Sequence, residues 1–162
     1  MQTQNFTNRV FQVATFIPWL FYVTALVSTL CKVTNGSLFW PSYLSSLVLY
    51  VGGIQGIWAA IGHLIFPIRT AAKIGWQPCG FQTEVGATNL AIGITSICSF
   101  FYITWITPIA LTLAVFYTGC IYAHIYDHIK NKNSAALNTG PMLYSTMITV
   151  ISLFTALFFT SL

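Results

Sequence analysis

Between Glu84 and Asp127 the chain reads VGATNLAIGITSICSFFYITWITPIALTLAVFYTGCIYAHIY, residues 85–126, without an Asp, Glu, Lys or Arg. A helix needs about 20 apolar residues to cross a bilayer. This run is too long for one helix, even a tilted one, and suits two joined by a tight turn. Thr107-Pro108 marks the expected break, because threonine caps helices and proline fits a first helical turn. Tyr102 and Trp105 lie beside it, as aromatic residues do at a membrane surface.

The remaining charges divide the rest of the chain. Arg9 to Lys32 encloses one span, and Lys32 to Arg69 encloses a loop (Asn35-Gly36-Ser37, Pro41) and a second. Lys132 to Leu162 encloses the last, opened by Pro141. The expectation is an all-α polytopic membrane bundle forming one transmembrane domain over residues 1–162. Its five spans fall near 11–31, 43–66, 83–103, 108–129 and 142–161. The alternation of a membrane β-barrel is absent. Arg9 without a small-residue cleavage site reads as a retained first span rather than a removed signal.

Composition agrees. Charged residues are 5% of the 162 and hydrophobic residues 56%, with mean hydropathy +0.76. A soluble domain carries about 25% charged residues, so a soluble enzyme and a disordered tail are excluded. The net charge of +4 comes from bases too few and scattered for a nucleic-acid surface. With five spans, Arg9, Arg69, Lys73, Lys130 and Lys132 share one side and Lys32 alone lies on the other. The positive-inside rule then predicts a cytoplasmic N-terminus and an outer C-terminus, in a membrane such as the bacterial inner membrane.

Ionisable groups within a membrane are costly and usually face the bundle. His63, Glu84, His124, Asp127 and His128 all fall near the basic end of their spans. Helical phase puts Gly52, Gln55, Gly56, Ala59 and His63 on one face, and Leu113, Tyr117, Cys120 and His124 on another. Glu84, Thr88, Ala91 and Thr95 share a stripe, with Gly86, Asn89 and Gly93 beside it. Burying these stripes together predicts a polar pocket of His63, Glu84 and His124, with Asn89 and Gln55 deeper. Plainer roles exist for each. Glu84 suits the first turn of a helix capped by Thr83. Asp127 and His128 suit a solvated interface. Either other histidine could bond a carbonyl between helices.

Two imidazoles and a carboxylate could hold a transition metal, with Cys120 one turn deeper as a weaker candidate. They could equally shuttle a proton or orient the head of an amphipathic molecule. No HExxH, CxxC or nucleophile elbow is present. Cys31, Cys79, Cys98 and Cys120 lack paired spacing and are expected to be free thiols. Asn5 and Asn35 match the glycosylation sequon, and of these only Asn35 is expected outside. The loop Gly75-Trp76-Gln77-Pro78-Cys79-Gly80-Phe81-Gln82 reads as an aromatic anchor or a lid over the pocket.

Gly62-His63 with Phe66-Pro67, Gly75-Trp76, Phe81-Gln82-x-Glu84-Val85-Gly86-x-x-Asn89-Leu90-Ala91, Gly119 with His124-Ile125, and Asn138-x-Gly140-Pro141-x-x-Tyr144 form a series over about residues 50–150. This series resembles an uncharacterised family of small bacterial and archaeal multi-pass membrane proteins. Cys79-Gly80 departs from the serine-proline of that turn. The resemblance implies a helical membrane fold and shared His63, Glu84, Asn89 and His124, and it supplies no activity.

Three functions follow as expectations. The first is a pocket open toward the cytoplasm that binds a small amphipathic ligand or a metal. The second is a membrane enzyme, either a metal-dependent oxidoreductase or hydrolase or an acid–base lipid isomerase. The third is a subunit or homo-oligomer without chemistry, packed through the Gly52/Gly56 and Gly86/Gly93 stripes.

Overall fold

The computed structural model describes residues 15–161, and among these the secondary structure is helical. Helix α1 spans Ile17–Thr34 and α2 spans Phe39–Ile65, with a π-helical stretch over Val48–Ile54. A short helix, α3, covers Pro67–Ile74, and α4 runs Phe81–Cys98. After a 3-10 turn at Ile103–Trp105, α5 covers Ile106–Asn131. The single turn α6, Ala136–Thr139, leads into α7, Pro141–Thr160.

Four helical segments are long and apolar enough to cross a membrane: Ile17–Thr34, Phe39–Ile65, Ile103–Asn131 and Ala136–Thr160. Helix α4, the expected third of five, is not among them. It has 18 residues, but Gln82, Glu84 and Asn89 in its first half lower its apolarity. Residues 11–14 of the expected first span lie outside the described residues. The break within residues 85–126 comes earlier than expected. The chain leaves the helix after Cys98, and α5 begins at Ile106. Thr107 makes no cap and Pro108 sits within the first turn. Likewise α4 starts at Phe81 behind Gly80, so Thr83 lies inside the first turn instead of capping it.

Side-chain contacts fix the helix directions. At one end the Trp19 indole N–H donates to the Pro141 carbonyl at 2.8 Å, joining the starts of α1 and α7. At the other end Trp40 stacks on Phe159, with centroids 4.6 Å apart, joining the start of α2 to the end of α7. The core between them is built from Leu44, Leu47, Val48, Val51, Leu113 and Leu153. A hydroxyl chain crosses it: Tyr22 Oη lies 2.9 Å from Tyr43 Oη and 2.8 Å from Ser152 Oγ. Leu20, Val23, Val27 and Leu30 point outward from α1, an apolar surface suited to lipid and not to water.

The closest packing is between α2 and α4, and it is made of glycine. A Cβ on Gly56 would lie 3.2 Å from the Asn89 carbonyl and 3.3 Å from Gly93 Cα. One on Gly93 would lie 3.0 Å from the Ile57 backbone N, and one on Gly52 2.6 Å from Ser96 Oγ. Small residues let backbones approach where no hydrophobic drive joins helices in lipid. The glycine stripes expected to suit another chain are therefore occupied within this one. Gly56→Val and Gly93→Val should each lower stability by about 1–3 kcal/mol through overpacking. Gly119→Ala, where an added Cβ meets nothing within 4 Å, should not. Thermal unfolding in detergent checks this ranking, and equal losses at all three positions would contradict the seam.

Candidate ligand cavity

The glycine seam draws α4 against α2 and leaves a partly open cavity next to it, lined by α2, α3, α4, α5 and the start of α7. Its volume is about 900 Å³, toward the upper end of the ~300–1,000 Å³ common for small-molecule sites. Gln55, His63, Asn89, Cys120 and His124 all lie on its wall. Trp58, Phe116 and Met142 add apolar and aromatic surface. Helix α3 borders it, contributing Arg69, Thr70 and Lys73.

Glu84 does not join the other expected residues. It is exposed, and the cavity lining does not include it. The buried face of α4 carries Gln82, Gly86, Asn89, Gly93 and Ser96. Glu84 is two residues from Gly86, roughly 200° around a helix, so it faces away from α2. Glu84 stays a first-turn acid at a helix N-terminus, where negative charge is favoured. Among the described residues no three His, Cys, Asp or Glu side chains form a metal-binding cluster. The expected set of His63, Glu84 and His124, with or without Cys120, is not assembled, because its carboxylate turns outward.

His124 is held by a different set of partners. Its Nδ1 lies 2.7 Å from Asn138 Oδ1. The Asn138 amide NH₂ donates to the carbonyls of Asn133 at 3.0 Å and His124 at 3.4 Å, so its oxygen is the atom turned to the ring. Nδ1–H is therefore the donor of this bond. Trp76 stacks on the imidazole with centroids 5.1 Å apart and planes 12° apart. The Trp76 indole N–H donates to Asp127 Oδ2 at 2.7 Å.

Asp127 is the hub of this cluster, not the freely solvated acid of the plainer expectation. Asn131 donates to Oδ1 at 2.6 Å and Asn133 to Oδ2 at 2.6 Å. The same Asn133 amide donates to the Ile74 carbonyl at 2.8 Å, tying the end of α3 to the end of α5. His128 Nδ1 pairs with the Asn133 carbonyl at 3.0 Å and is exposed. Spacing alone missed Asn133, although Asn138 belonged to the quoted motif series. An Asn-rich turn after a helix looks like ordinary loop chemistry until its partners are seen. Within the 75–82 loop, Trp76 packs inward while Gln77, Pro78, Cys79 and Gly80 are exposed.

Two lining atoms are buried without a hydrogen-bond partner among the described residues: His63 Nδ1 and Gln55 Oε1. Gln55 donates through its NH₂ to Tyr117 Oη at 3.4 Å, and that hydroxyl donates to the Val51 carbonyl at 3.3 Å. Leaving a buried acceptor unmet costs about 1–3 kcal/mol, so the Gln55 oxygen is held there at a cost. Eight residues separate Gln55 from His63, roughly 12 Å along a helix. The polar groups therefore span a depth instead of converging on one point.

A family model described as "Family of unknown function (DUF6790)" matches residues 12–161. No curated protein matches the chain, and no solved structure does.

Trp76→Phe keeps the ring against His124 but removes the donor to a carboxylate. Asp127 is partly exposed, so water weakens the bond, and thermal unfolding should show a loss of about 0.5–1 kcal/mol. No loss would mean that Asp127 does not hold the loop.

Proposed function

The chain belongs to this family of unknown function, and we propose that it is a membrane-embedded binding protein whose cavity takes a small amphipathic molecule. The observation that carries this is the lining. Aromatic and aliphatic walls surround a few separated polar groups, as in small-molecule sites. Gln55, His63, Asn89 and His124 are the proposed contacts, with Cys120 beside them.

The proposal extends to topology. The chain forms one transmembrane domain that crosses five times, with α4 as the least apolar pass. Asn89 and Ser96 are buried and the glycine face of α4 lies against α2, so α4's most buried polar groups are shielded from lipid. Arg69, Lys73, Lys130 and Lys132 then gather at the cavity end, which the positive-inside rule assigns to the cytoplasm of an inner-membrane protein. A binding role is favoured over metal-dependent catalysis, because the third metal ligand faces elsewhere.

Native mass spectrometry of the purified protein tests the binding reading. One adduct of lipid-like mass per chain is expected, and Ala59→Trp, which fills the cavity, should remove it while the protein stays folded. An undiminished adduct in that variant, or none in the wild type, would contradict it.

A further inference from the structure

Cys120 and His124 stand one helical turn apart on α5, and both are half-buried in the cavity wall. Positions four apart are neighbours on a helix face, with about 5–6 Å between Cβ atoms. Helical side chains lean toward the N-terminus, so the favoured direction of the His124 ring is toward Cys120. No hydrogen bond joins thiol and ring in this state. Catalytic contacts of this kind often tighten only when substrate binds.

The ring is oriented as a general base is. Its Nδ1–H donates to Asn138 Oδ1 at 2.7 Å, and Asn138 is itself buried and fixed by its bonds to the Asn133 and His124 carbonyls. In a neutral imidazole this leaves Nε2 as the basic nitrogen. Trp76 stacks on one face of the ring and restricts its rotation. A thiol, an imidazole beside it and a third group that orients the imidazole make the cysteine–histidine–asparagine arrangement of nucleophilic catalysis. Among the charged and titratable groups nearby, Asp127 is turned to Trp76, Asn131 and Asn133, while His63 of α2 and Arg69 and Lys73 of α3 border the cavity. No carboxylate lines it, so the bases it offers to a thiol are imidazoles.

We propose that Cys120 is a nucleophile that accepts the acyl group of a fatty-acyl ester, with His124 as its base and Asn138 as a positioning residue. This rests on the binding reading above and adds a reaction to it. His124 Nε2 takes the thiol proton, and the sulfur electron pair forms a bond to the ester carbonyl carbon. The tetrahedral intermediate collapses with cleavage of the ester C–O bond, and the alcohol leaves with the proton from the imidazolium. Water then attacks the thioester by the same route. His124 takes a proton from the water, the C–S bond breaks, and the sulfur regains the proton. Ester and water become acid and alcohol, with no other reactant. Trp58, Phe116 and Met142 supply the apolar wall for the acyl chain, and the volume of about 900 Å³ holds one such chain.

The test uses the full chain in neutral detergent with Cys31→Ser, Cys79→Ser and Cys98→Ser, which leaves Cys120 as the one thiol. The probes are p-nitrophenyl dodecanoate and p-nitrophenyl dodecyl ether, which has the same chain and ring but no acyl group to transfer. With the ester, p-nitrophenolate release is expected, and acid quenching should trap a dodecanoyl group on Cys120 that hydroxylamine removes. Cys120→Ala should abolish the release, and His124→Gln should slow it about 100-fold, within the range of general-base catalysis. Asn138→Asp puts a carboxylate beside the ring and favours its protonated form. The pH profile of release should therefore move to higher pH, which loss of a merely structural contact would not cause. Each variant should still bind the ether, followed by native mass spectrometry. Release that is undiminished in Cys120→Ala would overturn the nucleophile, and release undiminished in His124→Gln would overturn the base. An unmoved pH profile in Asn138→Asp would overturn the positioning role. Ether bound to the chain without any ester turnover would overturn the reaction and leave the cavity reading intact. Neither binding nor turnover would overturn both.

Discussion

The close approach of α2 to α4 is the constraint on which the rest of the bundle depends. In lipid, apolar side chains gain little by meeting one another, so helix pairs rely on fit. Gly56 and Gly93 provide that fit backbone against backbone, while Gly52 receives the Ser96 side chain and Gly86 those of Leu64 and His63. The π-helical stretch at Val48–Ile54 falls in the same segment, where Val48, Val51, Gly52 and Gly53 are all buried. Such stretches change the phase of a helix and recur at functional sites. Here the change of phase lies just before Gln55, a residue of the cavity wall whose carbonyl oxygen is buried and unmet. Packing of α2 on α4 thus sets the geometry of the adjoining cavity.

A second polar framework closes the basic end. Asp127, one of two acids in the chain, gathers Trp76, Asn131 and Asn133, and through Asn133 the end of α3. Asn138 fixes the orientation of the His124 ring, and Trp76 covers it. Loop, helix end and cavity wall are therefore one connected unit. The 75–82 segment serves as an anchor at Trp76, with its exposed middle projecting past it.

The helical membrane fold was legible because charge scarcity and run length are physical requirements of a bilayer, and they need no tertiary information. That His63 and His124 line one cavity was legible for the same reason, since span ends limit which residues can meet. Asn89, Gln55 and Cys120 followed from helical phase. Glu84 did not, because two adjacent stripes on α4 both looked suited to burial. Only the packing of glycine against Leu64 and His63 decides which one turns inward. The start of α5 was misplaced because Thr107-Pro108 has good cap chemistry. The chain instead makes its turn in the exposed aromatic run Phe100, Phe101, Tyr102, with a 3-10 segment completing it. The role of Asn133 was not legible, because its partners come from α3 and α5 and depend on how the bundle closes.

What unites these features is a cavity with a mainly apolar wall and sparse polar contacts, fixed by glycine packing on one side and an aspartate-centred cluster on the other. The most direct measurement is an experimental density map of the protein purified from its own membrane. The account predicts elongated non-protein density against the wall formed by Gln55, His63, Asn89 and His124. A cavity closed by collapse of Trp58 and Phe116, or filled by this chain's own residues, would contradict it.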